Sequence, residues 1–361
     1  MGSYAAELTE IIDRFVRLST TRPHPPPTSA FPALPRTPDM KVVFLGSGAF
    51  GLPTLQTLAR AHQVLAIVSQ PDRPAGRGGA LTPTPISAWA ATSLPTTPLL
   101  KPLKVNDAAI VAALRALNAD AWVVIAFGQK LGRTLLGDTF AINLHASLLP
   151  RWRGAAPINA AILAGDPVSG NSVITLADKM DAGLILDQSR RAVDPAMTAG
   201  ELHDLLAADG PALVQSVLAH RLAGTLAGVD QDDAAVTVAP KLSKADGWLD
   251  FSETAEDCRR RIHGLTPWPG VTVRFRDEPL KLLRAKVAPH PAQQGVVESG
   301  KRASIGTVIE PAGGLIACGG QTQLQLLQVH PAGSKAMSWE DFTRGRRPKA
   351  GEALVGGGRA C

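Results

Sequence analysis

The chain has 361 residues, 45% of them hydrophobic, which is long enough for two cores and too apolar for a disordered class. Its formal net charge is +6, and no apolar run reaches the roughly 18 residues that a membrane span needs. Cys258, Cys318 and Cys361 form no Cys-x-x-Cys pair, which points away from a zinc site and toward free thiols in a reducing compartment.

Residues 1–39 read as an extension. Leu8, Ile11, Ile12, Phe15 and Leu18 fall at helical spacing and predict an amphipathic helix over Ala5–Leu18. The proline-rich stretch Arg22–Pro38 is expected to be extended. Glu7, Glu10 and Asp13 argue against an organelle transit peptide, and no signal-peptide hydrophobic core is present. Met40, just before the first strand, is a candidate translation start.

From Lys41 the pattern alternates. Strands are predicted at Val42–Leu45, Val64–Val68, Ala121–Ala126, Phe140–His145 and Ser172–Leu176. Helices are predicted after Gly51 through His62, then at Asp107–Asn118, Asn159–Ala164 and Ala199–Leu222, the last with a kink at Gly210-Pro211. Strands separated by helices imply a doubly wound α/β fold with a mostly parallel sheet, whose ligands sit at the carboxyl ends of the strands. After Val229–Asp233 the texture changes. Trp248–Phe251, Thr272–Phe275, Leu280–Ala285, Ser304–Ile309, Gly314–Ala317 and Leu324–Gln328 are short strand candidates, with one helix around Cys258–His263. That pattern predicts a small β-barrel.

Gly46-Ser-Gly48-Ala-Phe-Gly51 follows the first strand and fits the dinucleotide fingerprint. A nicotinamide site also needs an acidic residue at the end of the second strand for the ribose, and Ser69-Gln70 stands there instead. The glycines are therefore expected to serve a tight turn and close helix packing, without NAD.

Asn143 and His145 flank Leu144 at a strand end, so both side chains point to one side. An amide, an imidazole and a carboxylate supply a carbonyl-oxygen donor, a proton shuttle and an orienting acid, sufficient to pass an acyl group between nitrogens. The run Asn143-Leu-His145-Ala-Ser147-Leu148-Leu149-Pro150, followed by Arg153-Gly154 and then Asp181-Ala-Gly183, resembles the folate-dependent formyltransferases. Asp181 lies 36 residues after His145, a spacing that also matches that family. The resemblance implies that Asn143, His145 and Asp181 are catalytic. It also implies that Ser147, Leu148, Leu149 and Pro150 wall a reduced-folate pocket, with Phe127-Gly128 beside the pterin. The co-substrate implied is 10-formyltetrahydrofolate, with no metal.

Asp72-Arg73-Pro-Ala-Gly-Arg77-Gly-Gly-Ala-Leu-Thr-Pro-Thr-Pro85 is similar to the inserted basic loop by which the methionyl-tRNA branch of that family reaches an acceptor stem. Relatives often carry lysines after Gly-Arg-Gly, where Gly79 and Ala80 stand here. Ala239–Phe251, with Lys241 and Lys244, and Arg261–Gly270 resemble the start of that branch's second, OB-like domain. From Pro240 onward the sequence holds 18 Lys/Arg against 12 Asp/Glu, so the entire net charge sits in the C-terminal third. A face for RNA phosphates follows, with Arg73, Arg77, Lys241 and Lys244 as its candidates.

The resulting expectation is an N-terminal extension over 1–39, a formyltransferase domain over 40–228, a linker over 229–240, an OB-like barrel over 241–355 and a tail over 356–361. The expected reaction is formylation of initiator methionyl-tRNA by a cytoplasmic monomer that needs no membrane. An amino-sugar-nucleotide N-formyltransferase, which shares the catalytic core, is the alternative.

Overall fold

The computed structural model describes residues 39–75, 78–289 and 303–357. The expected helix at Ala5–Leu18, the stretch Arg22–Pro38, Arg77 and Cys361 lie outside the described residues. The chain forms two compact units. One is drawn from the described residues up to His145 with Asn171–Ser189 and Leu206–Gln231, the other from Ala146–Gly170, Arg190–Leu205 and the described residues from Asp232 on.

A seven-stranded sheet organises the first half of the chain. Its strands are β1 (Lys41–Gly46), β2 (Gln63–Val68), β3 (Leu99–Leu100), β4 (Ala121–Ile125), β5 (Ala141–His145), β6 (Val168–Thr175) and β7 (Ile185–Ala192). They run in the order β7-β6-β5-β4-β1-β2-β3. The pairs β1–β2, β1–β4, β2–β3 and β4–β5 are parallel, and β5–β6 is antiparallel. The fold is thus the expected doubly wound, parallel-rich sheet. Strand order reverses on either side of β1, which places a switch point between the carboxyl ends of β1 and β4. Val42, Val43, Phe44 and Leu45 are all fully buried, as the central strand of a sheet covered on both faces demands. Val43, Leu45, Val68, Leu114 and Trp122 share one core cluster.

The glycine motif does packing work. A Cβ on Gly46 would lie 2.8 Å from the Ile125 carbonyl oxygen, and one on Gly51 3.2 Å from Ile125 Cβ. Ser69, fully buried, hydrogen-bonds Thr84 Oγ1 at 2.7 Å, and Gln70 Nε2 donates to the Phe127 carbonyl at 3.1 Å. Those two side chains hold loops together where a ribose-binding carboxylate would otherwise stand.

The main path of the C-terminal sheet runs through β8 (Val271–Phe275), β9 (Glu278–Val287), β10 (Val308–Glu310), β11 (Leu315–Ala317), β12 (Gln323–Pro331) and β13 (Leu354–Val355), in the order β10-β11-β12-β9-β8-β13, with the short strand Met337–Ser338 pairing β12 off that path. The pairs β10–β11, β11–β12, β12–β9, β9–β8 and β8–β13 are antiparallel. The two ends of that order meet: Val308 N donates to Glu352 O and Leu354 N to Gly306 O, each at 2.8 Å, which nearly closes the barrel. In β8, Val271, Val273 and Phe275 point inward and Thr272 and Arg274 outward, the period-two pattern of a half-buried strand.

One of the strand expectations fails. Trp248–Phe251 is not a strand: Leu249 and Phe251 bury into the barrel core, so the alternation is satisfied without a pairing partner. The helix Ala199–Leu222 forms over the expected residues, with Pro211 inside it. The sequence also gave no notice of the helix Trp339–Arg346, which has two buried anchors, Trp339 and Phe342, and a Ser338 cap on Asp341 N.

Candidate active site

Strand β5 delivers two candidate side chains to one face. Asn143 pairs in register with Val124 on β4 and Ile174 on β6, and His145 with Ser172. Leu144, between them, points to the other face and packs beside Gly210 of the long helix. His145 is 6% exposed and Asn143 half-buried. The β6–β7 turn then brings Asp181 back, with its Oδ2 3.6 Å from His145 Nδ1. The structure therefore unites residues 36 positions apart in the sequence. At that distance the carboxylate acts on the ring through charge, and a small approach would make a hydrogen bond.

Asp181 holds its place with φ at 53°, a left-handed conformation that L side chains rarely adopt. Two residues on, Gly183 lies so close to Thr175 that a Cβ would fall 1.7 Å from the Thr175 carbonyl oxygen. The Asp-x-Gly spacing is thus a steric requirement of the turn.

Phe127 and Gly128 follow β4, the strand beside β5. Phe127 is buried, and its carbonyl accepts from Ser47 Oγ at 3.2 Å as well as from Gln70. Gln70 N in turn donates to Ser47 Oγ at 3.0 Å. The loops after β1, β2 and β4 are cross-linked at the switch point, by Ser47 and Gln70, neither of which the sequence marked for that role. Ser147, Leu148, Leu149 and Pro150 form a turn in the second unit: Ser147 Oγ donates to Arg151 O at 2.7 Å, and Arg151 N to Leu148 O at 3.1 Å. Ser147 and Leu149 are buried, whereas Leu148 and Pro150 keep some exposure.

Arg73 opens an exposed two-stranded hairpin, Arg73–Ala75 against Ala80–Thr82, and donates to Gln70 Oε1 at 3.3 Å. The hairpin is anchored by an Asp72–Lys101 ion pair at 2.7 Å and by Thr84, which caps the helix Pro85–Ser93. Lys241 and Lys244 are exposed in the second unit. Among the described residues no cluster of three or more His, Cys, Asp or Glu side chains is arranged to hold a metal ion.

Residues 40–218 match the family model for formyl transferase and residues 241–347 that for the formyl transferase C-terminal domain. The chain is 35% identical over 319 residues to the methionyl-tRNA formyltransferase of Bacillus subtilis (strain 168), covering 87% of this chain and 97% of that protein. Against the methionyl-tRNA formyltransferase of Anaeromyxobacter dehalogenans (strain 2CP-C) it is 39% identical over 313 residues, covering 86% and 98%. Among solved structures, the N-formyltransferase from Helicobacter canadensis in complex with folinic acid and dTDP-3-aminofucose aligns with a TM-score of 0.58 at 13% identity, over 80% of this chain and 98% of that one. At that identity the likeness is one of fold.

Proposed function

The chain belongs to the methionyl-tRNA formyltransferase family, and from that premise we propose that it moves the formyl group of 10-formyltetrahydrofolate onto the α-amine of methionine esterified to initiator tRNA. The observation that carries this reading is Asp181 standing 3.6 Å behind His145, with Asn143 on the same strand face.

The neutral amine attacks the formyl carbon, forming a C–N bond while the carbonyl oxygen takes up negative charge. The Asn143 amide and an imidazolium at His145 are the donors for that oxygen. The Asp181 carboxylate, 3.6 Å from the ring nitrogen, fixes the ring's orientation, and it also receives the amine proton, directly or through water. Passage of that proton on to the folate nitrogen lets the old C–N bond break and the carbonyl re-form. Ser147, Leu148, Leu149 and Pro150, with Phe127 and Gly128, would hold the reduced folate. Arg73, Arg77, Lys241 and Lys244 would meet tRNA phosphates. No step calls for NAD, a metal or a second copy of the chain, and a cytoplasmic place follows from the substrate.

Incubating the purified chain with 10-formyltetrahydrofolate and either methionyl-initiator tRNA or a dTDP-linked amino sugar decides the acceptor. Formylation of the charged tRNA is expected. Transfer to the amino sugar alone would assign the protein to the alternative branch.

A further inference from the structure

We infer that Gln231 is a positioning residue for the reaction, a clamp whose side-chain amide fixes the turn that presents Asp181. One nitrogen, Gln231 Nε2, donates to the Asp181 carbonyl at 2.7 Å and to the Gly183 carbonyl at 2.8 Å. An amide NH2 has two hydrogens, so a single group grips the turn on both sides of Ala182.

The turn needs outside support. Asp181 sits at φ 53°, which a non-glycine residue keeps only when its surroundings over-determine it. Thr175 pins the base: its N donates to Leu184 O at 3.0 Å and its Oγ1 accepts from Leu184 N at 2.9 Å. Those bonds lie beyond Gly183; within the turn Ala182 N donates to Lys179 O at a long 3.4 Å, and Gln231 adds the two short bonds to the carbonyls of Asp181 and Gly183. The glutamine arrives by a short bridge, in which Ile185 and Val229 exchange both backbone hydrogen bonds at 2.8 Å. A segment that reads in the sequence as a linker thus carries a part of the site.

The inference rests on the catalytic reading of Asp181. Gln231 contacts the turn's backbone, so its loss should release the carboxylate from its place behind His145 without touching substrate binding. Gln231→Glu keeps the length but offers two acceptors to two carbonyls, and Gln231→Met keeps the volume without a donor. Both should lower kcat about 10- to 100-fold, the scale of a displacement near 1 Å at a reacting centre. KM for tRNA and for the folate should change less than about twofold, because uniform binding is untouched.

A double-mutant cycle with Asp181→Asn separates positioning from general support of the fold. If Gln231 acts through Asp181, Gln231→Met adds little once the carboxylate is gone. Effects that multiply in the cycle, or a wild-type kcat in both Gln231 variants, overturn the inference. A wild-type kcat for Asp181→Asn alone overturns instead the catalytic reading of that residue. Melting by circular dichroism shows which variants are folded. In the unsubstituted chain, NMR should find the Gln231 side-chain amide protons protected from exchange, and exchange at the free rate would overturn the clamp without any variant.

Discussion

At the scale of single residues the chemistry depends on very few atoms. In the proposed reaction Asn143 and His145 are donors aimed from one strand face, so removing either should cost transition-state stabilisation far more than substrate affinity. Asn143→Ala and His145→Ala are each expected to lower kcat by ~10²–10³, roughly 3–4 kcal/mol of barrier, with KM for tRNA little changed. Steady-state kinetics on the two variants checks this, and wild-type turnover in both would remove the pair from the reaction. Gly183→Ala is expected to be worse than its size suggests. A methyl group cannot occupy a point 1.7 Å from the backbone oxygen of Thr175, so the turn must open and carry Asp181 away. The expected result is a lowered melting temperature together with a kcat as low as that of Asp181→Asn. How much of this was legible follows from the kind of contact. Asn143 and His145 could be placed together by strand alternation alone. Asp181 could be reached only through family resemblance, since no local pattern joins residues 36 apart. Gln231, Ser47 and Gln70 were silent because they bind main-chain groups, which leave no complementary residue type to find.

At the scale of elements the helix Ala255–Gly264 shows how a packed imidazole ties one element to its neighbours. His263 is 1% exposed; its Nδ1 donates to the Pro195 carbonyl at 3.3 Å and its Nε2 accepts from Ala285 N at 3.1 Å. Burial pushes the imidazole down to about 4, and the positive charges of Arg259 and Arg284 add to that. The unfolded chain therefore takes up a proton near pH 6.5 that the folded chain refuses until about pH 4. Stability from this group is complete above pH 6.5 and declines as acid is added through that window, by roughly 3 kcal/mol in all. Glu201 behaves differently. Its burial would raise it, but Arg284 and Thr198 outweigh that and hold it at about 2, so its share is lost only between about 4.5 and 2. Thermal melts between pH 7 and 4.5 should show the decline, and His263→Gln should flatten it; an equal slope in that variant would clear His263 of responsibility. The helix itself was visible in the sequence, as were β1, β4 and β8, whose burial patterns are strong. Trp339–Arg346 was not, because Trp339 and Phe342 are too few to set a period.

At the scale of the whole molecule the excess charge of the C-terminal third has to be separated into neutralised and available parts. Many arginines there are spent on carboxylates: Arg259 and Arg260 on Glu256, Arg276 on Glu352, Arg284 on Glu201, Arg344 on Glu340 and Asp341, and Arg346 on Glu278. A paired guanidinium contributes little to the distant field. Lys241 and Lys244 are exposed and make no ion pair among the described residues, so their charge is available to phosphates. Each lysine that meets a phosphate releases counterions from the RNA, and each should steepen the fall of affinity with salt by roughly 0.9 in the double-logarithmic slope. The double variant Lys241→Ala, Lys244→Ala is accordingly expected to bind tRNA more weakly at 50 mM salt than at 200 mM relative to the unsubstituted chain, with a slope shallower by up to about 2. Turnover at saturating tRNA should stay unchanged, since neither lysine approaches the formyl carbon in the proposed reaction. Filter binding across that salt range measures the slope directly. A slope identical to that of the unsubstituted chain would show that these two charges face solvent in the complex, and the RNA-facing charge would then have to be sought in Arg73, Arg77 and the remaining C-terminal lysines.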